Sequence, residues 1–338
     1  MKTNLFIWNL AYSVTNKCNL HCNHCYTDAG SPLGNELNLQ QIENRIIIPA
    51  ANVGTKYITF TGGEPFMRND FMEIIDMTHD KGIGVSIATN GMLLNSKTIS
   101  ELKRLRADRI QISLEGSTSE VNDSIRGSGV FAKLTEKVIP KLLDSGLFVA
   151  VSFTPTARNE FDITGIAELC LRLGVQSLSV RRYSNTGRAK ENALAMSVDQ
   201  GKDFADTIFK LRREHEGKLK ISSGDPTSIL SHPNIEEYVH GSFLSGCTAG
   251  ITSLAIDSIG NIKPCTRASS IIGNVLTDDL DAVWCENELL MKLRDRNNLQ
   301  GSCGKCKYKM ICGGCRVEAL NNHHNIFEGD DKCWMRQS

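Results

Sequence analysis

The sequence lacks a net charge, and its first twenty residues contain no long hydrophobic run. Its 338 residues contain 38 Lys and Arg against 38 Asp and Glu. The chain therefore has no general attraction to nucleic acid or to anionic membranes. The first apolar stretch, Leu5 to Tyr12, contains Asn9 and is too short to cross a bilayer, so we interpret it as a strand. We expect a cytoplasmic protein with neither a nucleic-acid nor a membrane partner.

A fourth cysteine is missing from the N-terminal cysteine motif. Cys18, Cys22 and Cys25 stand in the order C-x3-C-x2-C, and no further cysteine follows for well over a hundred residues. A cubane iron–sulfur cluster normally takes four thiolates, and structural zinc takes four Cys or His ligands. Three thiolates in one short loop predict a [4Fe-4S] cluster with one iron open to a reactant. The alternative is a zinc ion completed by His21 or His24.

A glycine-rich turn follows the cysteine motif. The segment from Cys18 to Tyr26, together with the turn Thr61 to Pro65 (TGGEP), resembles the radical S-adenosylmethionine (SAM) superfamily. The resemblance implies that the open iron binds the amino and carboxylate groups of SAM. It also implies that the reduced cluster splits SAM into methionine and a 5′-deoxyadenosyl radical, which takes a hydrogen atom from the substrate.

The same resemblance implies which residues contact SAM. Tyr26 is expected near the adenine, and the turn Gly62, Gly63 and Glu64 near the methionine ammonium. Glycine lets the backbone approach a ligand without interference from a Cβ, and Glu64 offers a carboxylate to an ammonium. The remaining expected contacts are Thr89, Asn90, Ser113 and Arg126.

Apolar strand-like runs alternate with amphipathic helical stretches as far as about Arg188, which is typical of parallel sheets built from βα units. The predicted strands are Ile7–Val14, Tyr57–Phe60, Gly84–Ala88, Arg109–Leu114, Phe148–Phe153 and Gln176–Arg181. The predicted helices between them are Leu39–Val53, Phe71–Lys81, Lys97–Leu105, Phe131–Ser145 and Asp162–Leu173. Six units are too few for an eight-fold barrel, so we expect an α/β fold with a partial (β/α)6 TIM-like barrel, as the resemblance also implies. Ligands gather at the carboxyl ends of such strands, where each motif lies.

A basic group follows the fifth and sixth predicted strands. Its members are Arg158, Arg181, Arg182, Arg188 and Lys190. Guanidinium forks suit carboxylates, so the group is a candidate site for SAM or an anionic substrate. The alternative is solvated surface.

A second cysteine system occupies the last third of the chain. It consists of Cys247, Cys265, Cys303, Cys306, Cys312, Cys315 and Cys333. Twelve cysteines in a chain without a signal sequence predict metal clusters rather than disulfides, because the cytosol keeps thiols reduced. The spacing resembles the SPASM extension of radical SAM enzymes, except that two residues, not the usual three, separate Cys312 from Cys315.

The SPASM resemblance implies up to two auxiliary [4Fe-4S] clusters. The expected ligands of one are Cys247, Cys265 and Cys315, and those of the other are Cys303, Cys306, Cys312 and Cys333. Cys285 is the reserve ligand for the first set, and otherwise Cys285 and Cys170 are expected to be structural. We predict a radical SAM core at residues 1–230 and a cysteine-rich domain at residues 241–338.

Finer resemblances bear on the substrate. The runs 25–30, 185–189, 312–316 and 329–333 resemble enzymes of the alternative haem and haem d1 pathways, which trim carboxylate side chains from tetrapyrroles. We therefore predict oxidative or decarboxylative modification of a tetrapyrrole side chain, with a flavodoxin- or ferredoxin-type reductant. The alternative is a peptide or protein maturase that forms thioether or carbon–carbon links or formylglycine. Only seventeen residues precede Cys18, so a leader-binding domain is not expected.

Two further hypotheses have little support in the sequence. A non-catalytic electron carrier would not need the turn at Gly62 to Glu64. His323 and His324 are expected at the surface and not in the site, and no general base is predicted.

Overall fold

Seven parallel strands form the centre of the molecule in a computed structural model that describes residues 5–238 and 246–337. They are β1 (Asn9–Thr15), β2 (Tyr57–Gly62), β3 (Gly84–Thr89), β4 (Arg109–Ser113), β5 (Val149–Phe153), β6 (Ser177–Val180) and β7 (Lys220–Ser223). Each pairs in parallel with the next in chain order. The first six confirm the predicted strands and the partial barrel, and β7 adds a short strand at one edge.

Helices form the crossovers between these strands. Regular ones span Phe71–Asp80, Ser96–Arg104, Ser119–Arg126, Ile163–Leu173 and Val198–Glu214. Two others contain a π-helical turn and run as Leu39–Ile42, Glu43–Ile47, Ile48–Asn52 and as Val130–Lys133, Leu134–Val138, Ile139–Asp144. The widened turns lie just before Pro49 and Pro140, and a proline ring displaces the carbonyl four residues earlier. Ser119–Arg126 is not among the predicted helices.

Polar side chains fix where several of these helices begin. Asn38, Asn95, Thr118 and Ser197 each accept a hydrogen bond from a backbone N–H in the first helical turn. These caps satisfy amides that have no partner inside the helix. They place the preceding loops at the carboxyl ends of the strands.

The barrel strands alternate between an apolar face and a polar face. In β4, Ile110 and Ile112 are fully buried in the main core. The intervening residues Arg109, Gln111 and Ser113 lie on the opposite face, which is the barrel interior. We call this interior the lumen and define it by Arg109, Gln111, Ser113, Ser152, Ser177 and Ser179.

The cysteine-rich part continues the same sheet. Strand β8 (Ser253–Ile256) pairs in parallel with β1, and β9 (Asn261–Lys263) and β10 (Gly273–Asn274) follow antiparallel, which gives ten strands in the order β10-β9-β8-β1-β2-β3-β4-β5-β6-β7. Helices span Leu280–Glu286, Glu288–Arg294, Gly301–Lys305 and Arg316–His323. Trp284 and Leu290 pack in the same core as the barrel strands. The predicted start of the second domain, residue 241, lies outside the described residues, and the two-domain division stays a prediction.

Short helical turns complete the fold. They span Pro65–Met67, Glu160–Asp162, Gly187–Lys190, Pro226–Ser231, Ile235–Tyr238, Arg296–Asn298 and Trp334–Gln337. Within the described ranges, none of the helices is both long and apolar enough to cross a membrane.

Candidate functional site

The loop after β1 brings Cys18, Cys22 and Cys25 together. Its two ends are joined because Cys18 N donates to Gly30 O at 2.9 Å and Gly30 N donates to Asn16 O at 3.0 Å. Burial raises the pKa of the Cys18 and Cys22 thiols, and the other thiols of the loop raise it further. The three side chains thus lie within electrostatic range of one another.

Hydrogen-bond donors surround the cysteine loop. Nδ2 of Asn90 lies 3.8 Å from Sγ of Cys18, and Nη1 of Arg126 lies 3.8 Å from Sγ of Cys22. An anionic iron–sulfur cluster is stabilised by such donors near its sulfur atoms. Three adjacent thiols with an amide and a guanidinium beside them therefore fit this cofactor.

The two histidines of the loop have different surroundings. His21 is exposed, whereas Nε2 of His24 lies 3.1 Å from Oε1 of the buried Glu115. In the described ranges, no three His, Cys, Asp or Glu side chains converge closely enough to hold a single metal ion. The thiolates of a cubane each bind a different iron atom, so they surround a larger volume than the ligands of one ion.

Gly62 and Gly63 form the contact between the turn after β2 and the cysteine loop. A Cβ on Gly62 would lie 2.3 Å from the carbonyl oxygen of Thr15, and one on Gly63 would lie 2.2 Å from that of Lys17. Gly63 N donates to Thr15 O, and Glu64 N to Lys17 O, both at 2.8 Å. The two glycines are therefore required for backbone packing, whatever their distance from a ligand.

Glu64 is fully buried and accepts hydrogen bonds from two loops. Its Oε1 accepts a hydrogen bond from the Thr89 hydroxyl at 2.7 Å, and its Oε2 accepts one from Asn90 N at 2.8 Å. Phe66 N donates to Oε1 at 3.3 Å. Burial raises the pKa of Glu64 to about 7, although these donors oppose the shift. The carboxylate thus connects the turn after β2 to the end of β3, and its contact with SAM stays a prediction.

Asn90 connects these hydrogen bonds to the cysteine loop. Its Nδ2 donates to Oδ1 of Asn19 at 2.8 Å. The predicted contacts Glu64, Thr89 and Asn90 therefore form one hydrogen-bonded unit next to Cys18.

Arg126 and Glu115 form a buried ion pair beside Cys22. Nη2 of Arg126 lies 2.6 Å from Oε1 of Glu115, whose other oxygen accepts a hydrogen bond from Thr154 N at 2.7 Å. Burial acts to raise the pKa of Glu115, but the charges of Arg126 and His24 outweigh it and hold that pKa below its usual range. Arg126 is therefore fixed near the cysteine loop, and its contact with the SAM carboxylate stays a prediction.

Ser113 and Tyr26 are the two remaining predicted contacts to SAM. Ser113 ends β4, pairs in register with Ser152 of β5 and faces the lumen. The Tyr26 hydroxyl interacts with the side chain of Thr266, and burial raises the pKa of that phenol. Tyr26 thus connects the cysteine loop to the chain segment after Cys265.

Among the described residues, two members of the basic group are held in ion pairs with carboxylates, and three are not. Arg182 pairs with Asp330 at 2.9 Å, and Arg188 pairs with Asp28 at 2.5 Å. Arg188 also donates to Cys22 O at 3.3 Å, so it holds the cysteine loop in place. The other three members, Arg158, Arg181 and Lys190, are exposed, and Arg181 also donates a hydrogen bond to Gln111 in the lumen.

One lumen residue was missed by the sequence analysis. Arg109 opens β4 and donates to Oγ of Ser179 on β6 at 2.7 Å. The signal was available, because polar residues at every second position of β4 alternate with Ile110 and Ile112. That alternation places Arg109 on the same face as Ser113.

The first auxiliary set comes together around two arginines. Burial raises the pKa of Cys315 to about 11, with Cys247 adding to the shift and Arg182 and Arg267 opposing it. Burial lowers the pKa of Arg267, but Cys315 and Cys265 reverse this effect and raise it. Cys265 and Cys315 also pack in one small cluster. The structure thus brings the three predicted residues near one another, and their role as ligands stays a prediction.

The second auxiliary set also comes together. Burial raises the pKa of Cys333 to about 11, with Cys303 and Cys306 contributing, and it raises that of Cys312, with Cys333 and Cys303 contributing. Donors approach three of the sulfur atoms at 3.3–3.4 Å: Arg316 Nη2 to Cys303, Tyr308 N to Cys306 and Gly314 N to Cys312. None of the twelve cysteines, all of which lie in the described ranges, forms a disulfide.

Cys170, Cys285 and His323 each have other surroundings. Cys170 is buried in the main core, and Cys285 lies 3.4 Å from Asp281 on a helix. Nε2 of His323 lies 3.0 Å from the Asp331 carboxylate.

Comparison with known proteins gives the following matches. The Radical SAM superfamily profile matches residues 12–169, and that of the SPASM iron–sulfur cluster-binding domain matches residues 247–307. The AdoMet-dependent heme synthase of Methanosarcina barkeri is 28% identical over 97% of this chain and 96% of its own length. The mycofactocin maturase MftC of Mycobacterium ulcerans is 31% identical over 91% of this chain and 81% of its own length.

Solved structures show the same fold. SuiB of Streptococcus suis bound to its precursor peptide SuiA superposes with a TM-score of 0.80 at 20% identity, over 98% of this chain and 76% of that one. The anSMEcpe structure with bound AdoMet superposes with a TM-score of 0.74 at 16% identity, over 98% and 95% of the two chains.

Proposed function

The chain belongs to the radical SAM superfamily, in the form that carries a SPASM iron–sulfur domain, and on this premise we propose that it modifies a carboxylate side chain of a tetrapyrrole. It is an enzyme that uses SAM and [4Fe-4S] clusters. A reduced cluster held by Cys18, Cys22 and Cys25 would supply the electron that splits SAM into methionine and a 5′-deoxyadenosyl radical, and this radical would abstract a substrate hydrogen atom.

Cys18, Cys22 and Cys25 are the proposed ligands of the SAM-binding cluster. Their proximity supports the assignment, as do the two donors at 3.8 Å from their sulfur atoms. The turn at Gly62 and Gly63 holds the loop from one side, and Arg188 holds it from the other. The protein's contribution is positioning. The 5′-deoxyadenosyl radical reacts productively only if the target carbon is close to it and water is excluded.

SAM would bind between the cysteine loop and the strand ends. The proposed contacts are Tyr26, Gly62, Gly63, Glu64, Thr89, Asn90, Ser113 and Arg126. Arg126 is already paired with Glu115 at 2.6 Å, so it can meet the SAM carboxylate only through its remaining N–H groups. Glu64 similarly has one acceptor position left after its three hydrogen bonds.

The auxiliary clusters are proposed to accept the electron that leaves the substrate. Two cysteine sets lie in the C-terminal region, and Tyr26 lies within electrostatic range of both Cys25 and Cys265. The first set is therefore close to the proposed SAM site. Nearby clusters can pass single electrons, and their potentials respond to the hydrogen bonds on their sulfur atoms.

The chemistry balances for a propionate side chain. Removal of one hydrogen atom by the adenosyl radical yields 5′-deoxyadenosine and a substrate radical. Loss of CO2 and of one electron then leaves a vinyl group, and an auxiliary cluster held by Cys247, Cys265 and Cys315 would be the acceptor of that electron. One electron is donated to SAM and one electron is recovered from the substrate, so the electrons balance.

The observation that carries this proposal is the similarity to AdoMet-dependent heme synthases over 97% of this chain and 96% of the Methanosarcina relative. Peptide maturation is the second candidate. It is favoured by the 31% identity to mycofactocin maturases and by the fold shared with SuiB bound to its precursor peptide.

One experiment separates the two candidates. The reconstituted enzyme is incubated anaerobically with SAM, a reductant and either an iron porphyrin bearing propionates or a precursor peptide, and the products are analysed by mass spectrometry. Loss of CO2 and two hydrogen atoms from the macrocycle is the expected result. Modification of the peptide together with an unchanged porphyrin would contradict the tetrapyrrole proposal.

A further inference from the structure

We propose that Arg109 and Arg181 form a carboxylate-binding site in the lumen, which holds a carboxylate of the substrate next to the predicted SAM site. The proposal deepens the proposed function, and the identity of the ligand rests on it. The site itself is argued from the contacts and charges of the lumen. It gives the substrate a fixed anchor inside the barrel.

The two arginines reach toward each other's strand across β5. Nη2 of Arg109, on β4, donates to Oγ of Ser179 at 2.7 Å and lies 3.5 Å from Oγ of Ser177, both on β6. Nη2 of Arg181, just after β6, donates to Oε1 of Gln111 on β4 at 2.8 Å. The two guanidinium groups therefore border the same part of the lumen, enclosed by three strands.

Neither guanidinium has a carboxylate partner among the described residues, because their hydrogen-bond acceptors are serine hydroxyls and an amide. Nε of Arg109 is buried and has no acceptor. Burial lowers the pKa of both arginines, and Arg109 and Arg267 lower that of Arg181 further. The described protein thus leaves this pair of cations without a counter-ion.

Three buried arginines near the same site do have carboxylate partners. Arg126, Arg182 and Arg188 each form an ion pair with a carboxylate at 2.5–2.9 Å. Arg109 is half-buried and Arg181 is exposed, so both cations are accessible to an anion in the lumen, and neither has a carboxylate in the described ranges to neutralise it. The contrast points to an anion as the missing partner of Arg109 and Arg181.

One of the two arginines lies near a residue of the predicted SAM site. Arg181 lies within electrostatic range of Tyr26, the residue expected near the adenine. A carboxylate between the two arginines would hold the attached carbon chain on the side of the lumen where the adenosyl radical forms. Guanidinium forks bind planar carboxylates through paired hydrogen bonds, and lumen serines such as Ser152 offer further donors.

Two molecules could supply the carboxylate, namely the substrate and the methionine part of SAM. The proposal commits to the substrate, because Arg126 already lies next to the cysteine loop where SAM's carboxylate is expected. The dissociation constant of SAM distinguishes the two sources. Equal SAM affinity in wild type and in Arg109→Gln is expected, and a loss of SAM affinity would assign the anion to SAM and overturn the proposal.

The first test needs no substrate. Propionate is titrated at constant ionic strength into the reconstituted wild type, Arg109→Gln, Arg181→Gln and the control Arg172→Gln, whose side chain is exposed on the outer helix Ile163–Leu173. We expect propionate to raise the unfolding temperature of the wild type and the control but of neither lumen variant. An equal response in all four proteins would overturn the proposal.

The second test uses an iron porphyrin with free propionates and its methyl ester, titrated anaerobically and followed by absorbance. The free acid should bind each lumen variant about tenfold or more weakly than wild type, because charge-assisted hydrogen bonds are lost. The ester should bind all proteins alike. Equal losses for acid and ester would overturn the site, since they would indicate a general change of shape.

The two tests separate the site from the proposed function. Propionate protection that is lost in both lumen variants supports the site even if the porphyrin fails to bind the wild type, in which case the tetrapyrrole assignment fails. Arg109→Lys, which keeps the charge and removes the fork, controls for folding. It should retain part of the propionate response, whereas Arg109→Gln should retain none.

Discussion

Arg182 and Asp330 form a buried ion pair that joins the end of β6 to the cysteine-rich region. Nη2 of Arg182 lies 2.9 Å from Oδ1 of Asp330, whose side chain is 0% exposed. Oδ2 of Asp330 accepts a second bond from Arg182 at 3.0 Å and one from Cys315 N at 2.7 Å. One carboxylate therefore fixes a proposed auxiliary ligand relative to the barrel.

Replacement of Arg182 by Met should strongly destabilise the protein. It would leave Asp330 buried without a counter-charge, and the loss of one partner of such a pair costs about 3–5 kcal/mol. The free energy of unfolding, measured by denaturant titration, checks this. Lys202→Met removes an exposed helical pair with Asp206 and should change stability little. Equal effects of the two substitutions would contradict the structural role of Arg182.

Gly63→Ala should disrupt the proposed SAM site. The new Cβ would lie 2.2 Å from the carbonyl oxygen of Lys17 and would push the turn away from the cysteine loop. We expect SAM cleavage to fall by about a hundredfold, since small displacements of positioning groups have effects of this size. Gly30 lies in the cysteine loop, and a Cβ added there would meet nothing within 4 Å. Gly30→Ala should therefore keep near wild-type cleavage. Unchanged cleavage in Gly63→Ala would contradict the packing argument.

Cys306→Ala should separate SAM cleavage from product formation. The variant should lose auxiliary iron, measured by iron and sulfide analysis, and retain some uncoupled formation of 5′-deoxyadenosine. Cys170→Ala is the matched control, because Cys170 is buried in the main core and should leave the iron content unchanged. Full product formation by Cys306→Ala would refute an essential auxiliary role.

Glu64 should make stability depend on pH. Its folded-state pKa is raised from 4.5 to about 7, so the folded protein binds the proton more tightly than the unfolded chain. The stabilisation is present below the unfolded pKa and is lost as the pH rises through the folded pKa. Relative to Glu64→Gln, the wild type should lose about 2 kcal/mol between about pH 5.5 and about pH 8. Parallel stability curves for the two proteins would contradict the raised pKa.

The strands and motifs could be predicted because their signals are local. Each of β1 to β6 is a short segment whose apolar residues alternate with polar or small ones, and the cysteine loop and glycine turn are contiguous segments. The helix Ser119–Arg126 was missed because it is short and polar, and it begins at the capping side chain of Thr118. The pairing of β8 with β1 joins segments more than two hundred residues apart, and no local pattern predicts it.

The roles of the arginines could not be predicted for the same reason. Arg188 looked like a ligand-binding cation, yet its partner Asp28 lies 160 residues away in sequence. Arg182 similarly pairs with Asp330 across 148 residues. Conversely, Arg109 and Arg181 have no carboxylate partner among the described residues. This absence becomes visible only when the register of β4 to β6 is known.

The most direct test of the central claim is electron paramagnetic resonance of the anaerobically reconstituted, reduced protein with and without SAM. The account predicts that SAM changes the signal of one [4Fe-4S] cluster, and that Cys18→Ala removes this cluster and abolishes SAM cleavage while auxiliary iron remains. Zinc at Cys18, Cys22 and Cys25, or an iron signal that is insensitive to SAM, would contradict it.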